Sequence, residues 1–334
     1  MPRCVLALGP DAAGSVLADL IAAATARIDA AVYEVGPSYA ALLGRAARRG
    51  VAVRLLLDAH AGANTTSVRL LQGIDAHCRV IGGHPGVEAH WKLLLVDGAT
   101  VALGSGNLIH RDAPAPGLPG TREWWATVSD ASALVAAARH ALDAAWREAA
   151  EPPLAWRRAV AVAFAAPPVG VPRPEVPPLS LEVPEASLRL CVGGAAVAAE
   201  LAARIGTARD RVLVTVPYVH THVAAVASLL DALQAARARG AEVRLLLGTV
   251  PEPRDAEALR SVPTIEVRVM DPLRCTTGHA KGLVADGAAV VGSANWSGTG
   301  LGSNREAALT VDDPHAADWF AAALDRDWQV SRPL

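Results

Sequence analysis

A pattern that occurs twice constrains this chain more than any other feature of its sequence. The first copy reads His90-Trp91-Lys92, then Asp97-Gly98, then Gly104-Ser105-Gly106-Asn107, with Arg122-Glu123 further on. The second reads His279-Ala280-Lys281, then Asp286-Gly287, then Gly292-Ser293-Ala294-Asn295, with Arg305-Glu306 further on. The copies are 189 residues apart at the histidine and the aspartate, and 188 at the asparagine. Upstream, Val53-Arg54-Leu55-Leu56-Leu57 matches Val243-Arg244-Leu245-Leu246-Leu247 at a separation of 190. Pieces that recur in one order over most of 334 residues mark a duplicated folding unit.

The boundary between the copies is legible. Pro167, Pro168, Pro172, Pro174, Pro177, Pro178 and Pro184 crowd a short stretch, a density that forbids a helix and reads as an extended connection. The expected organisation is therefore a first domain over 1–150, a proline-rich linker over 151–185 and a second domain over 186–334. Each copy alternates helical and strand patterns. Residues 12–26 and 39–49 are helix-like, the latter stopping at Gly50. Residues 28–33 and 51–57 are apolar strand runs. The second copy repeats this with helices at 197–205 and 223–239 and strands at 212–216 and 243–247. Continuous apolar strands alternating with helices imply an α/β fold with a sheet covered on both faces. Residues 92–96 and 100–103 flank Asp97-Gly98, a hairpin signal that Asp286-Gly287 repeats. Asp97 and Asp286 read as structural turn residues. The second copy is one residue shorter between its aspartate and Gly292, which suggests a bulge in one hairpin arm.

Two residues apart on a strand, His90 and Lys92 leave the same face, with Trp91 turned into packing; His279 and Lys281 do the same around Ala280. The lysines are informative because the chain has 31 lysines and arginines and only Lys92 and Lys281 are lysine. Each copy thus offers an imidazole, a compact ammonium, a hydroxyl (Ser105 or Ser293) and an amide (Asn107 or Asn295). That set suits a phosphate, whose oxygens gain charge during displacement. It suits a divalent metal poorly, because a lysine beside each histidine repels a cation, and no metal or cofactor is expected. Displacement at phosphorus runs in line, so two copies about a pseudo-two-fold axis would set one histidine on each side of one phosphorus atom. One histidine would attack and the other would handle the proton.

The paired motif, His-x-Lys-x4-Asp followed by Gly-Ser-x-Asn and a later glutamate, resembles the phospholipase D superfamily, in its bacterial cardiolipin synthase-like branch. The resemblance covers both halves and leaves the linker unmatched. It implies two duplicated domains, each a mixed β-sheet flanked by helices, about one shared active site. It implies phospholipid hydrolysis or transphosphatidylation through a phosphohistidine, with His90 as nucleophile and His279 as general acid. Glu123 and Glu306 correspond to the acidic residues that hold the other ring nitrogen of each histidine. Lys92, Lys281, Asn107 and Asn295 correspond to phosphate-binding positions, and the hydroxyls of Ser105 and Ser293 are expected to bind phosphate beside them.

Around this centre, Tyr33, Trp124, Tyr218 and His220 are candidates for the substrate pocket, and ordinary core packing competes for Trp124. The longer proline-rich loop from Leu108 to Arg122 is a candidate cover for the cleft. A net charge of −2 and only 4% aromatic residues favour a phospholipid over nucleic acid as the partner. A nuclease on the same scaffold remains the alternative, and a non-catalytic phosphate-binding module a third. Cys4, Cys78, Cys191 and Cys275 form no CxxC pair, and no leader or membrane span is evident. The expectation is a cytoplasmic protein, active as a monomer because one chain carries both motifs. Arg157-Arg158 with the apolar run 159–166 offers a peripheral contact at the inner membrane face.

Overall fold

The computed structural model describes all residues except 73, 75, 83–86, 116, 158–175, 263 and 272–274. The run 159–166 and most of the linker prolines lie outside the described residues.

The first half supplies strands β1 (Arg3–Gly9), β2 (Arg27–Val32), β3 (Ala52–Asp58), β4 (Ala76–Ile81), β5 (Lys92–Val96), β6 (Thr100–Gly104), β7 (Glu123–Ser129) and β8 (Leu179–Glu182). They form one sheet in the order β4-β3-β2-β5-β6-β7-β1-β8. The second half supplies β9 (Leu188–Val192), β10 (Arg211–Val216), β11 (Glu242–Leu247), β12 (Glu266–Val269), β13 (Gly282–Ala285), β14 (Ala288–Gly292), β15 (Ala307–Val311) and β16 (Arg332–Pro333), in the order β16-β12-β11-β10-β13-β14-β15-β9. Seven strands correspond one to one, and each sheet adds one edge strand, at opposite ends. Both sheets are mixed. β2, β3 and β4 run parallel, as do β10, β11 and β12, while the rest pair antiparallel. The end of the connection between the copies is thus itself a strand, β8, which pairs with β1 and packs Leu179 and Leu181 against the core.

Helices α1 (Ala13–Ala23), α2 (Pro37–Arg48) and α3 (Ala63–Leu71) cover the outer face of the first sheet. α5 (Gly194–Thr207), α6 (Ala224–Ala238) and α7 (Pro253–Arg260) cover that of the second. The inner faces of both sheets, with α4 (Ser132–Glu148) and α8 (Pro314–Gln329), enclose one shared core. This explains why the strands read as unbroken apolar runs. In β5, Leu93 and Leu95 enter the shared core while Leu94 and Val96 enter the outer one. The helix stops are where glycine signalled them. Gly50 and Gly240 follow α2 and α6 with φ of 94° and 103°, where a side chain would be strained.

The hairpin difference lies in the turn. Val96 pairs with Thr100, leaving three residues in the first turn, whereas Ala285 pairs with Ala288, leaving two in the second. The expected bulge in an arm is absent from these strands, whose pairing is regular on both sides. Asp97 and Asp286 adopt positive φ at the turns. The Asp97 carboxylate accepts from Thr25 N, Ala26 N and Arg27 N, and that of Asp286 from Arg209 N, Asp210 N and Arg211 N. Each aspartate therefore ties its hairpin to the neighbouring strand.

Candidate active site

Both histidine-lysine pairs stand where their strands begin. Trp91 and Ala280 turn into the shared core and send His90, Lys92, His279 and Lys281 the other way. Each imidazole is held by the glutamate of the other half. His90 Nδ1 lies 3.0 Å from Glu306 Oε1, and His279 Nδ1 lies 2.6 Å from Glu123 Oε1. The exchange follows from how the halves dock. Arg122 and Gly278 form a parallel bridge, with His279 N donating to Arg122 O, and Arg305 N donates to Glu88 O on the other side. Lys281 Nζ also reaches across, 3.4 Å from Ser105 O. Nδ1 being engaged, each ring turns Nε2 away from its carboxylate.

The lysines are buried, and burial lowers both. Lys92 comes down to about 8 although Glu306, Asp112 and Glu123 pull it up, and Lys281 comes down to about 7 with Lys92 pushing in the same direction. Burial also pushes the His90 imidazole down to about 4, against the pull of Glu306 and aided by Lys92, so His90 is neutral near pH 7. For Glu123, burial works upward, but His279, Lys281 and Ser105 hold the carboxylate down at about 2.

The outward nitrogens differ. His90 Nε2 has no hydrogen-bond partner among the described residues. His279 Nε2 lies within hydrogen-bond reach of Lys281 Nζ, at 2.8 Å. The His279 side chain is also the more open, 23% exposed against 8% for His90.

Two expected phosphate contacts require correction. Ser105 Oγ donates to Glu123 Oε2 at 2.5 Å and accepts from Trp124 N; Ser293 Oγ donates to Glu306 and accepts from Ala307 N. Both hydroxyls are consumed in fixing the glutamates and have nothing left for a phosphate. The Asn107 amide donates to Asp112 Oδ2 at 3.0 Å, while the Asn295 side chain lies near the Tyr218 phenol, beside Ser297. The Oδ1 atoms of both asparagines are buried without a partner among the described residues.

Of the pocket candidates, Tyr33 sets its ring edge against His90, centroids 5.3 Å apart, and Lys92 Nζ lies 5.6 Å from the Tyr33 ring centre. Burial, then Glu88, Asp58 and Glu34, push the Tyr33 phenol up to about 12, so carboxylates surround this side of the site. Tyr218 and His220 stand at the corresponding strand end, 5.0 Å apart, with His222 beyond. Trp124 is not in the pocket. It is 1% exposed and stacks on Phe320 at 4.2 Å in the shared core. The loop from Leu108 to Arg122, the candidate cover of the cleft, is anchored away from it at Ala113 and Pro114. It packs down on α1 and α2, where the Tyr39 hydroxyl donates to Ala113 O. Pro114 O occupies the space that a Cβ at Gly14 would need.

The sequence matches the cardiolipin synthase, PLD-like domain family over residues 17–116 and 201–328, one stretch in each half. The chain belongs to this family. Two solved structures share the PLD-like fold across nearly the whole chain. The phosphatidylserine synthase of Haemophilus influenzae Rd KW20 superposes with a TM-score of 0.68 and 13% identity, over 98% of this chain and 87% of that one. The polyphosphate kinase of Porphyromonas gingivalis gives 0.59 and 16%, over 96% of this chain and 50% of that one. At such identities the likeness is one of fold. A comparison with curated proteins finds no match.

Sequence reasoning missed Asp112, a fully buried carboxylate beside the PLD-like motifs. An aspartate five residues after Asn107, in a loop that is five residues longer than its counterpart in the second copy, was the available signal. Asp112, Glu123 and His279 bring potential metal ligands within 4.8 Å of one another. Their atoms already face Asn107, Thr121, Ser105 and each other, and Lys281 stands at the imidazole. That donor-filled arrangement fits a hydrogen-bond network better than a cation. No helix among the described residues is long and apolar enough to cross a membrane.

Proposed function

We propose that this chain cleaves a phospholipid phosphodiester through a phosphohistidine on His90, passing the phosphatidyl group to water or to an alcohol. The observation that carries the reading is the exchanged pairing of His90 with Glu306 and His279 with Glu123, which sets both imidazoles at the seam between the halves, where Lys281 also reaches across to Ser105 O. The neutral His90 would attack with its Nε2 lone pair. The bond from phosphorus to the departing oxygen breaks, and that oxygen takes the proton from His279 Nε2. Water or an alcohol then attacks phosphorus, gives its proton to His279 Nε2, and the P–N bond breaks to restore His90. Lys92 and Lys281 would balance the charge that grows on the non-bridging oxygens.

A lipid is supported over nucleic acid by the charge around the site. Glu34, Asp58 and Glu88 surround Tyr33 on the His90 side, and a net charge of −2 supplies no broad attraction for a polyanion. The test is an assay of phosphatidylcholine and phosphatidylglycerol in vesicles, with and without glycerol, in excess EDTA, beside single-stranded and plasmid DNA. Headgroup release or exchange that survives EDTA, with DNA untouched, is expected. DNA cleavage without lipid turnover would replace the lipid by a nucleic acid, and loss of turnover in EDTA would contradict the metal-free route.

A further inference from the structure

The copies diverge most between asparagine and glutamate, where the first takes five residues more than the second. That longer loop carries Asp112, and it packs against α1 and α2 at the neighbouring Ala113 and Pro114. Asp112 Oδ2 accepts from Asn107 N at 2.9 Å and from its amide at 3.0 Å. Asp112 Oδ1 lies 3.2 Å from Thr121 Oγ1 and 3.3 Å from Arg111 Nε. Thr121 Oγ1 is also 3.0 Å from Glu123 Oε1, the atom that holds His279. A hydroxyl has one hydrogen, so it can donate to only one of these two carboxylates at a time. Two buried carboxylates therefore face the His279 arm, with Lys281 and Lys92 as the buried cations nearby and the exposed Arg111 paired with Asp112.

The His90 arm is built otherwise. Asn304 takes the place of Thr121, and its amide has two hydrogens. It donates to Glu306 Oε1 at 3.3 Å and to Glu88 Oε2 at 3.4 Å, so neither carboxylate goes without. Glu88 itself is pushed up by burial and by Asp58.

We propose that Asp112 is a positioning residue which, through Thr121 and Glu123, makes His279 the proton donor of the pair and fits the site to phosphodiesters of aliphatic alcohols. This rests on the role of His279 given above. An alkoxide leaves only when it receives a proton, whereas a p-nitrophenolate leaves without one. With the Thr121 hydrogen drawn to Asp112, Glu123 Oε1 keeps its charge for His279 Nδ1 and holds the ring in place for the transfer, which matters only where a proton is needed.

The experiment compares wild type and Asp112→Asn, as full chains, on phosphatidylglycerol and on bis-p-nitrophenyl phosphate. The expected result is a loss of about 10- to 100-fold in kcat on the alkyl ester and under about threefold on the aryl ester. The retained aryl activity also reports that the variant folds. Thr121→Val, which cuts the link while keeping Asp112, should show the same split. An equal loss on both esters would make Asp112 merely structural, and no loss on either would make it idle; both overturn the proposal. A wild type inactive on both esters would instead overturn the reading of the site on which the proposal rests.

Discussion

His90 and His279 occupy equivalent points on two copies of one sheet, yet they end in different surroundings. His90 is nearly enclosed, its Nε2 is without a protein partner among the described residues, and burial keeps it neutral. His279 is more open, has Lys281 Nζ at its Nε2, and faces Glu123, which Thr121 links to Asp112. The difference teaches how a duplicated unit comes to hold two roles. The motif residues stayed the same, while the residues around them diverged: Thr121 against Asn304, Glu88 against Thr277, and a loop five residues longer on one side.

The largest test of that comparison is to remove each imidazole. His90→Ala should abolish turnover of alkyl and aryl esters alike, because no other group carries the attacking lone pair. His279→Ala should cost roughly 10²–10⁴ on the alkyl ester and far less on the aryl one. Equal losses for the two variants on both esters would mean that the arms are interchangeable.

A second test concerns packing between the halves. Trp124 and Gly282 are complementary, since a Cβ at Gly282 would come within 2.2 Å of the indole. Their counterparts reverse the sizes, with Ala307 for Trp124 and Leu93 for Gly282. Trp124→Ala should lower stability by about 3–5 kcal/mol in chemical denaturation, the cost of an emptied aromatic site. A loss under about 1 kcal/mol would show that the indole does not fill the shared core.

A smaller effect should appear in the pH profile of kcat/KM. His90 is lowered to about 4, so the acid limb should fall near pH 4 as it gains a proton. The same lowering means that its contribution to stability is present above about pH 6.5 and is lost as pH falls toward 4. The alkaline limb should begin near pH 7, where Lys281 loses its charge, and drop about tenfold per unit. Lys281→Arg keeps the charge and should move that limb toward about 8, where Lys92 deprotonates. A limb that stays in place would remove Lys281 from the ionisations that govern binding.

Much of this was legible in the sequence. The repeat gave the two sheets, and the apolar runs gave β2, β3, β10 and β11 with the helices between them. Strands β1 and β9 precede the first helix of each half, and helices α4 and α8 follow β7 and β15, so all four lie outside the alternation of strand and helix that the repeat made plain. The motif gave His90, Lys92, His279 and Lys281. It could not give the exchange of Glu123 and Glu306, which depends on docking between the halves. Ser105 and Ser293 were misread because a residue type states what a hydroxyl can do and not which group it meets. Trp124 was ambiguous for the same reason, since its partner Phe320 comes from α8 almost two hundred residues on.

The most direct measurement is to trap the covalent species. His279→Asn, incubated with a phospholipid and digested under alkaline conditions that preserve phosphohistidine, should carry the phosphoryl adduct on the peptide containing His90 when read by mass spectrometry. An adduct on His279 in the reciprocal His90→Asn variant, with none on His90, would contradict the assignment of the two arms.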